Sequence, residues 1–307
     1  MEKSRYTKYP ATLKELQYPY ISMQDRYLCY YVSESFSILE NMRNQALRRA
    51  VLETKIPGVI EVSMGQVAFM VHFDPFRIDK DDLIKEIIAI VESVADISQW
   101  VFEPTITELP VWFDDPWSIK CYLEHKEWHQ VKDGSISNFK YSAQLNNMTP
   151  EEFERLICSR PCWCDADGFV IGIMGLAPMT KKLEEYIHLP KWEKSRPWTP
   201  NRGFVWGGSH FAVHPYVTPG GYQLLGSCAV PVFSRERILE PFQESDVLLK
   251  IGDIVIIRSI KEDEYKEIRA EVEAGKYKYK RQKRKFYPKD WAEDPDGFCQ
   301  QLMEEFK

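Results

Sequence analysis

The residues best equipped for chemistry crowd into one stretch. From Gly203 to Gly226 the chain reads GFVWGGSHFAVHPYVTPGGYQLLG. It holds a double glycine at Gly207-Gly208, histidines at His210 and His214, and Pro219-Gly220-Gly221 ahead of Tyr222 and Gln223. Glycine lets backbone approach a ligand closely and permits positive φ. Histidine titrates near neutrality, and a carboxamide both donates and accepts. The functional reading is a ligand cleft floored by exposed N–H groups. Composition supports a second reading equally: two tight turns of a β-barrel.

Other candidates are weaker. Asp114-Asp115 could serve a metal or an acid–base step, but with Pro116 next the pair reads first as an Asx-type turn. Cys158, Cys162 and Cys164 follow a C-x3-C-x-C spacing that matches no common structural zinc pattern. They read as small buried hydrophobes, and no metal is expected. His125 and His129 stand one helical turn apart, and so could His210 and His214, yet neither pair has the metalloprotease glutamate between its members. Pro215 and Gly207-Gly208 moreover place the second pair on a strand or loop. All four read first as core or surface histidines.

The elements that must position these residues follow from periodicity. YLCYYV is β-rich; after Ser35, the residues Leu39, Met42, Ala46 and Ala50 fall on one helical face. VIEVS and QVAFMVHF read as a hairpin, with Val67, Phe69, Val71 and Phe73 alternating to one side. Leu83, Ile84, Ile87, Ile88, Val91 and Val94 form an apolar stripe, and Asp79, Asp81 and Asp82 lie at its dipole-favoured start. Thr149, Pro150 and Glu152 spell a capping box, with a turn expected over CSRPCWCDADGF. Beyond Gly203 the runs GFVW, HFAV, YQLLG, AVPVF, DVLLKI and DIVIIR predict strands of a barrel or sandwich. KEDEYKEIRAEVEAG predicts a charged helix ended by Gly275, and DPDGFCQQLMEEF an amphipathic tail helix. Seven of the ten residues Lys276–Lys285 are basic; such a run reads first as a solvated arm and second as a phosphate contact.

Composition bounds the function. The chain has 307 residues, 44% of them hydrophobic and 28% charged, with net charge −6. That balance argues for a globular core and against general nucleic-acid binding. No apolar run is long enough for a membrane span, and MEKSRYTKYPATLKEL lacks the core of a secretory signal. Seven cysteines without framework spacing suit a reducing cytoplasm.

Several ordered segments resemble one family, the allophanate hydrolase subunit 1-like proteins. It includes the 5-oxoprolinase B subunit, a sporulation kinase inhibitor and the carboxyltransferase region of urea carboxylase, which the chain resembles most. The segments are PGVIEVSMGQVAFMVHFDP, LPVWFDDPW, SNFKYSAQLNNM, RPWTPNRGFVWGG, PGGYQLLG and IKEDEYKEIRAEVEAGKY. The resemblance runs from about Tyr27 to Tyr279, and its last segment is similar to an extension of urea carboxylase.

What the resemblance implies is an α+β protein. An N-terminal arm (1–25) would precede a small α/β lobe with an antiparallel sheet and helices (26–105). A cyclophilin-like β-barrel with its connector (106–260) and a helical, basic C-terminal extension (261–307) would follow. Such a chain is half of a carboxyltransferase of a multisubunit complex, completed by an allophanate hydrolase subunit 2-like partner. Carboxybiotin on a carrier protein then gives its carboxyl group to a small acceptor: urea, a guanidine, an amide or a ketone. The chain has neither a glycine-rich ATP-binding motif nor a Met-Lys-Met biotinylation site. Biotin carrier and ATP-using biotin carboxylase are therefore expected as separate chains. Gln223, His210 and His214 become the catalytic candidates. Gly207, Gly208, Gly220, Gly221 and Tyr222 become substrate-binding candidates, with Asn138, Asn146, Asp114 and Asp115 at matching polar positions. Replacing Gln223 by alanine is expected to spare folding and to slow transfer. The chain departs from the family at Ser227-Cys228, where Arg-Thr is usual. That departure keeps a regulatory binding protein in view as an alternative, alongside a 5-oxoprolinase-type lactam-hydrolysing component.

Overall fold

The computed structural model describes residues 20–94, 96–97, 100–129, 137–182, 186–187 and 189–307. Most of the expected N-terminal arm lies outside them. The chain divides into two compact units, Met1–Trp100 and Val101–Lys307.

The first unit is a four-stranded antiparallel sheet with two helices. Its strands are β1 (Tyr20–Met23), β2 (Tyr27–Tyr31), β3 (Val59–Met64) and β4 (Ala68–Phe73), in the order β1-β2-β4-β3. The strand β1, in the part expected as an arm, pairs with β2 from Tyr20↔Tyr30 to Met23↔Tyr27. Helix α1 (Ile38–Thr54) is capped by Ser37, two residues beyond the expected start. Helix α2 (Lys80–Ser93) is capped by Asp79. Ala46, Leu47 and Val51 of α1 and Leu83, Ile84 and Ile87 of α2 share one core with Phe69, Val71 and Phe73. Two buried asparagines of α1 pin the β3–β4 turn: Asn44 donates to Gly65 O and Ala68 O, and Asn41 to Gln66 O. Buried polar groups must find partners, and here the turn supplies them.

The second unit is a closed barrel. In chain order its elements are β5 (Thr105–Phe113), α3 (Pro116–His125), α4 (Asn138–Leu145), α5 (Pro150–Ile157), β6 (Cys162–Asp167), β7 (Met174–Pro178), β8 (Arg196–Thr199), β9 (Gly203–Gly207), β10 (His210–Val213), β11 (Thr218–Gly220), β12 (Gln223–Cys228) and β13 (Ile254–Ser259). Seven strands run β12-β9-β10-β7-β6-β13-β5, and β12 returns to β5 to close the circle, which removes the unpaired edges. β5 and β13 are parallel, from Ile254↔Ile106 to Ser259↔Val111. The interior is filled by Leu109, Val111, Leu176, Phe204, Trp206, Phe211 and Leu225. Phe139 of α4 and Phe153 of α5 join the same core. β8 and β11 form a separate two-stranded sheet.

Several expectations change. AVPVF and DVLLKI are not strands: they are joined by a single bridge, Phe233↔Val247, although Val230, Val232, Leu248 and Leu249 are buried. Pro231 has no N–H to give a ladder, and burial alone produced the apolar pattern. Conversely, the turn expected over CSRPCWCDADGF is split in two: CWCDAD is barrel strand β6, with a turn before it and a bend at Phe169, φ +66, after it. Cys162 and Cys164 are fully buried in the barrel core. Burial pushes both thiols well above the usual range.

The basic run keeps Lys276, Lys278, Lys280, Lys283 and Lys285 exposed, as a solvated run would, but its backbone is packed on the barrel and is not an arm. Helix α6 (Glu262–Glu273) sends Tyr265 and Ile268 into the barrel core, and Gly275 follows at φ +68. Tyr277 and Tyr279 pack on the same core, and β14 (Arg281–Lys283) pairs with Thr105–Thr107 of β5. Arg284 and Lys285 are ion-paired with Glu305 and Glu103, at 2.6 and 3.0 Å. The chain ends in α7 (Pro288–Glu293) and α8 (Pro295–Glu305). Among the described residues, no helix is long and apolar enough to cross a membrane.

Candidate functional site

Strands β9, β10 and β12 bring most of the predicted residues onto adjacent registers. His210 lies opposite Gly207, and Gln223 opposite Trp206. Tyr222 packs on Gly207 so closely that a Cβ there would fall 1.9 Å from its ring, so only glycine fits. Gly208, at φ +68, faces open space: an added Cβ would meet nothing within 4 Å.

Gln223 is wholly buried and belongs to a saturated network. Its Oε1 accepts from Asn138 Nδ2 at 2.6 Å and from His129 Nε2 at 2.8 Å, and its Nε2 donates to Pro190 O at 2.5 Å. Asn138 Oδ1 in turn accepts from Leu224 N at 2.7 Å. The His129 ring is enclosed edge-on by Tyr141 and Trp192 at 4.8 and 4.6 Å. Burial, and secondarily the charge of Arg196, hold its imidazole below the ordinary range. In this arrangement Gln223 fixes the strand entrance to α4 and to the chain before β8. Its carboxamide oxygen is fully used by these internal bonds.

His210 has a different partner. Its Nε2 lies 2.7 Å from Asp165 Oδ2; the carboxylate is fully buried and the imidazole side chain is 10% exposed. A carboxylate behind a histidine fixes the orientation of the ring. Gly175 leaves room for that carboxylate, since a Cβ there would sit 2.3 Å from Asp165 Oδ1.

His214 is separated from His210 along β10, as the strand reading requires. Its Nδ1 lies 2.6 Å from Thr218 Oγ1. Burial first, and the Arg196 charge second, lower its pKa to about 3. Arg196 is fully buried beside it. It donates to Tyr222 O at 2.6 Å through Nη1 and to Thr199 Oγ1 through Nε and Nη2, at 3.2 and 3.0 Å. Burial brings its own pKa down to about 10. Trp192 N also donates to Gly221 O. Gly221, Tyr222 and Gln223 are thus each held by the segment from Pro190 to Arg196.

The remaining predicted residues lie elsewhere. Asp115 caps α3, Oδ1 accepting from Trp117 N and Ser118 N, which is the Asx-turn reading. Asp114 adopts φ +56, 3.4 Å from Lys140 Nζ. Asn146 ends α4, its Nδ2 donating to Ser142 O at 2.9 Å. His125 is a buried histidine bonded to Cys121 O. At the departure from the family pattern, Ser227 Oγ lies 3.2 Å from the Tyr265 hydroxyl of α6, and Cys228 is buried. Among the described residues, no group of three or more His, Cys, Asp or Glu side chains is placed to hold a metal ion.

Sequence reasoning passed over Asp165, used the arginine–threonine–proline run with Arg196 and Thr199 only as a carrier of the resemblance, and read His129 as a core or surface histidine. Asp165 stood in a segment read as a turn. The two cysteines of CWCDAD were read as buried, but the strand that their alternation spells, and that sets Asp165 beside His210, was not drawn from them.

Comparison with known proteins agrees with this architecture. The family model for the carboxyltransferase domain, subdomain C and D, matches residues 20–242. Urea amidolyase of Lachancea kluyveri is 25% identical over 260 residues, which are 82% of this chain and 14% of that protein. The 5-oxoprolinase B subunit of Bacillus subtilis is 30% identical over 223 residues, 69% of this chain and 80% of that protein. The crystal structure of Kluyveromyces lactis urea carboxylase superposes with a TM-score of 0.78 at 20% identity, covering 94% of this chain and 25% of that one. At that identity the likeness concerns the fold. The chain therefore spans a small part of the urea amidolyases and most of a 5-oxoprolinase B subunit. It belongs to the family of carboxyltransferase domains, subdomain C and D.

Proposed function

We propose that this chain is a cytoplasmic subunit of a biotin-dependent, urea carboxylase-like carboxyltransferase. It works in a cleft shared with an allophanate hydrolase subunit 2-like partner, and its acceptor is a small urea, guanidine, amide or ketone. The observation that carries this reading is the extent of the likeness. Urea amidolyases and a urea carboxylase align over 82–83% of the chain, against 69% for the Bacillus subtilis 5-oxoprolinase B subunit. The segment past residue 242, outside the family match, is built into the barrel through α6 and β14.

Carboxybiotin, brought by a separate carrier and charged by a separate ATP-using carboxylase, would supply a transferable carboxyl group. The residues here fit such a group at the open edge of Gly208, beside His210 and Tyr222. His210, oriented by Asp165, takes the proton that the acceptor must lose. Tyr222 and Gly207 form the wall next to it. Gln223, through Asn138 and His129, holds that wall in place and is a positioning residue. His214 stays neutral under Arg196.

The test is reconstitution of the full chain with the partner, carrier and biotin carboxylase, followed by acceptor-dependent incorporation of labelled bicarbonate. His210→Gln and Asp165→Asn are expected to lower turnover more than tenfold, about 1.4 kcal/mol in the barrier, with the fold unchanged. Undiminished turnover in both would remove the pair from the site. A second reading, one component of an ATP-dependent lactam-opening enzyme, rests on the 30% identity and 80% coverage of the 5-oxoprolinase B subunit. ATP turnover driven by 5-oxoproline without biotin would select it.

A further inference from the structure

The least balanced group in the barrel unit is Arg196. It is fully buried, and among the described residues it has no carboxylate partner. A guanidinium carries five N–H donors, and its three hydrogen bonds leave one N–H on Nη1 and one on Nη2. Its neighbourhood adds donors rather than acceptors. The guanidinium lies over the Trp192 ring at 4.7 Å, and the buried Trp192 Nε1 has no hydrogen-bond partner among the described residues. Buried charges are ordinarily paired and buried donors ordinarily bonded. A buried charge beside unused buried donors, among the described residues, is suited to an anion.

Gly220 keeps the guanidinium end clear. A Cβ there would stand 3.2 Å from Arg196 Nη2 and 2.7 Å from Thr199 Oγ1. The half-exposed Gly221 and Tyr222 continue the cover over the cluster.

We propose that Arg196, with Trp192, is the seat of a small planar oxyanion of the carboxylate or bicarbonate class, admitted when the Thr218–Gly221 turn lifts. The two remaining N–H groups of Arg196 match the two oxygens of such an anion, as an arginine fork does and a lysine does not. The inference deepens the proposed function, since it names the charge class bound beside the Tyr222–Gln223 turn. It stands on that reading only for the source of the anion.

The experiment uses the full chain alone, with sodium bicarbonate and sodium acetate as probes against sodium chloride at equal ionic strength. Thermal midpoint and tryptophan fluorescence are followed. The expected result is a saturable rise in midpoint with one or both probes beyond that with chloride. A response to bicarbonate alone assigns the transferred one-carbon unit, and a response to acetate assigns a carboxylate substrate. Trp192→Phe keeps the ring under the guanidinium and removes one donor, and should weaken the apparent affinity at least threefold. Arg196→Gln should weaken it at least tenfold, and Lys266→Gln on α6 should leave it unchanged. If Arg196→Gln fails to fold, Trp192→Phe alone decides the matter. No response beyond chloride in the wild type, or an affinity unchanged in Trp192→Phe, overturns the inference. Carboxyl transfer by the assembled complex without any anion response would sink this site and leave the proposed function standing; the opposite pair of results would do the reverse.

Discussion

Replacing His214 by asparagine should flatten the acid side of the stability profile. His214 is 3% exposed, with a pKa lowered from 6.5 to about 3 by burial and then by Arg196. Below the ordinary imidazole range the unfolded chain takes up a proton at this site and the folded protein does not. The unfolded state therefore binds more protons, and stability falls as pH falls from about 6.5 to about 3. Taking those two values, the loss between pH 7 and pH 4 is about 3 kcal/mol, approaching about 1.4 kcal/mol per pH unit. Asparagine can place its amide N–H near the Nδ1 position facing Thr218, so the variant should fold, and it has no proton to gain. His129 is shifted in the same direction and contributes to both proteins, so the informative quantity is the difference between them. Urea unfolding at pH 7, 6, 5 and 4 should show the wild type losing about 3 kcal/mol more than His214→Asn over that range. Parallel profiles, differing by less than about 1 kcal/mol, would show that His214 is not held neutral in the fold and would refute the reasoning.

Two further outcomes follow from the same packing. Gln223→Ala removes the acceptor shared by Asn138 and His129 and the donor to Pro190 O. It should cost about 2–4 kcal/mol by chemical denaturation, unlike the expectation from sequence that folding would be spared; unchanged stability would show the network to be dispensable. Gly207→Ala places a Cβ 1.9 Å from the Tyr222 ring and should cost about 1–3 kcal/mol by overpacking, most of it recovered in the double variant with Tyr222→Leu.

Much of the local structure was legible. The box at Thr149 and Glu152 forms as spelled, with both reciprocal bonds present. The α2 stripe buries Leu83, Ile84, Ile87 and Val91, and Gly275 ends α6. These features depend on neighbours three or four residues away, and such contacts are written in the spacing itself. AVPVF and DVLLKI failed because an apolar run reports burial and not a hydrogen-bond ladder. The basic run failed for a related reason. Its tyrosines alternate with lysines as in an edge strand, but only β5 could show which strand it would join.

From sequence alone came five of the helices, the β3–β4 hairpin and the family that the ordered segments resemble. Only the tertiary structure decided what each polar group is bonded to. Gln223 meets His129 and Asn138 across 94 and 85 residues, and His210 meets Asp165 across the barrel wall. Barrel closure sets those distances, and no periodicity along the chain encodes them. The packing of the separate β8–β11 pair buries Arg196 away from any carboxylate among the described residues, which nothing in its segment of text shows.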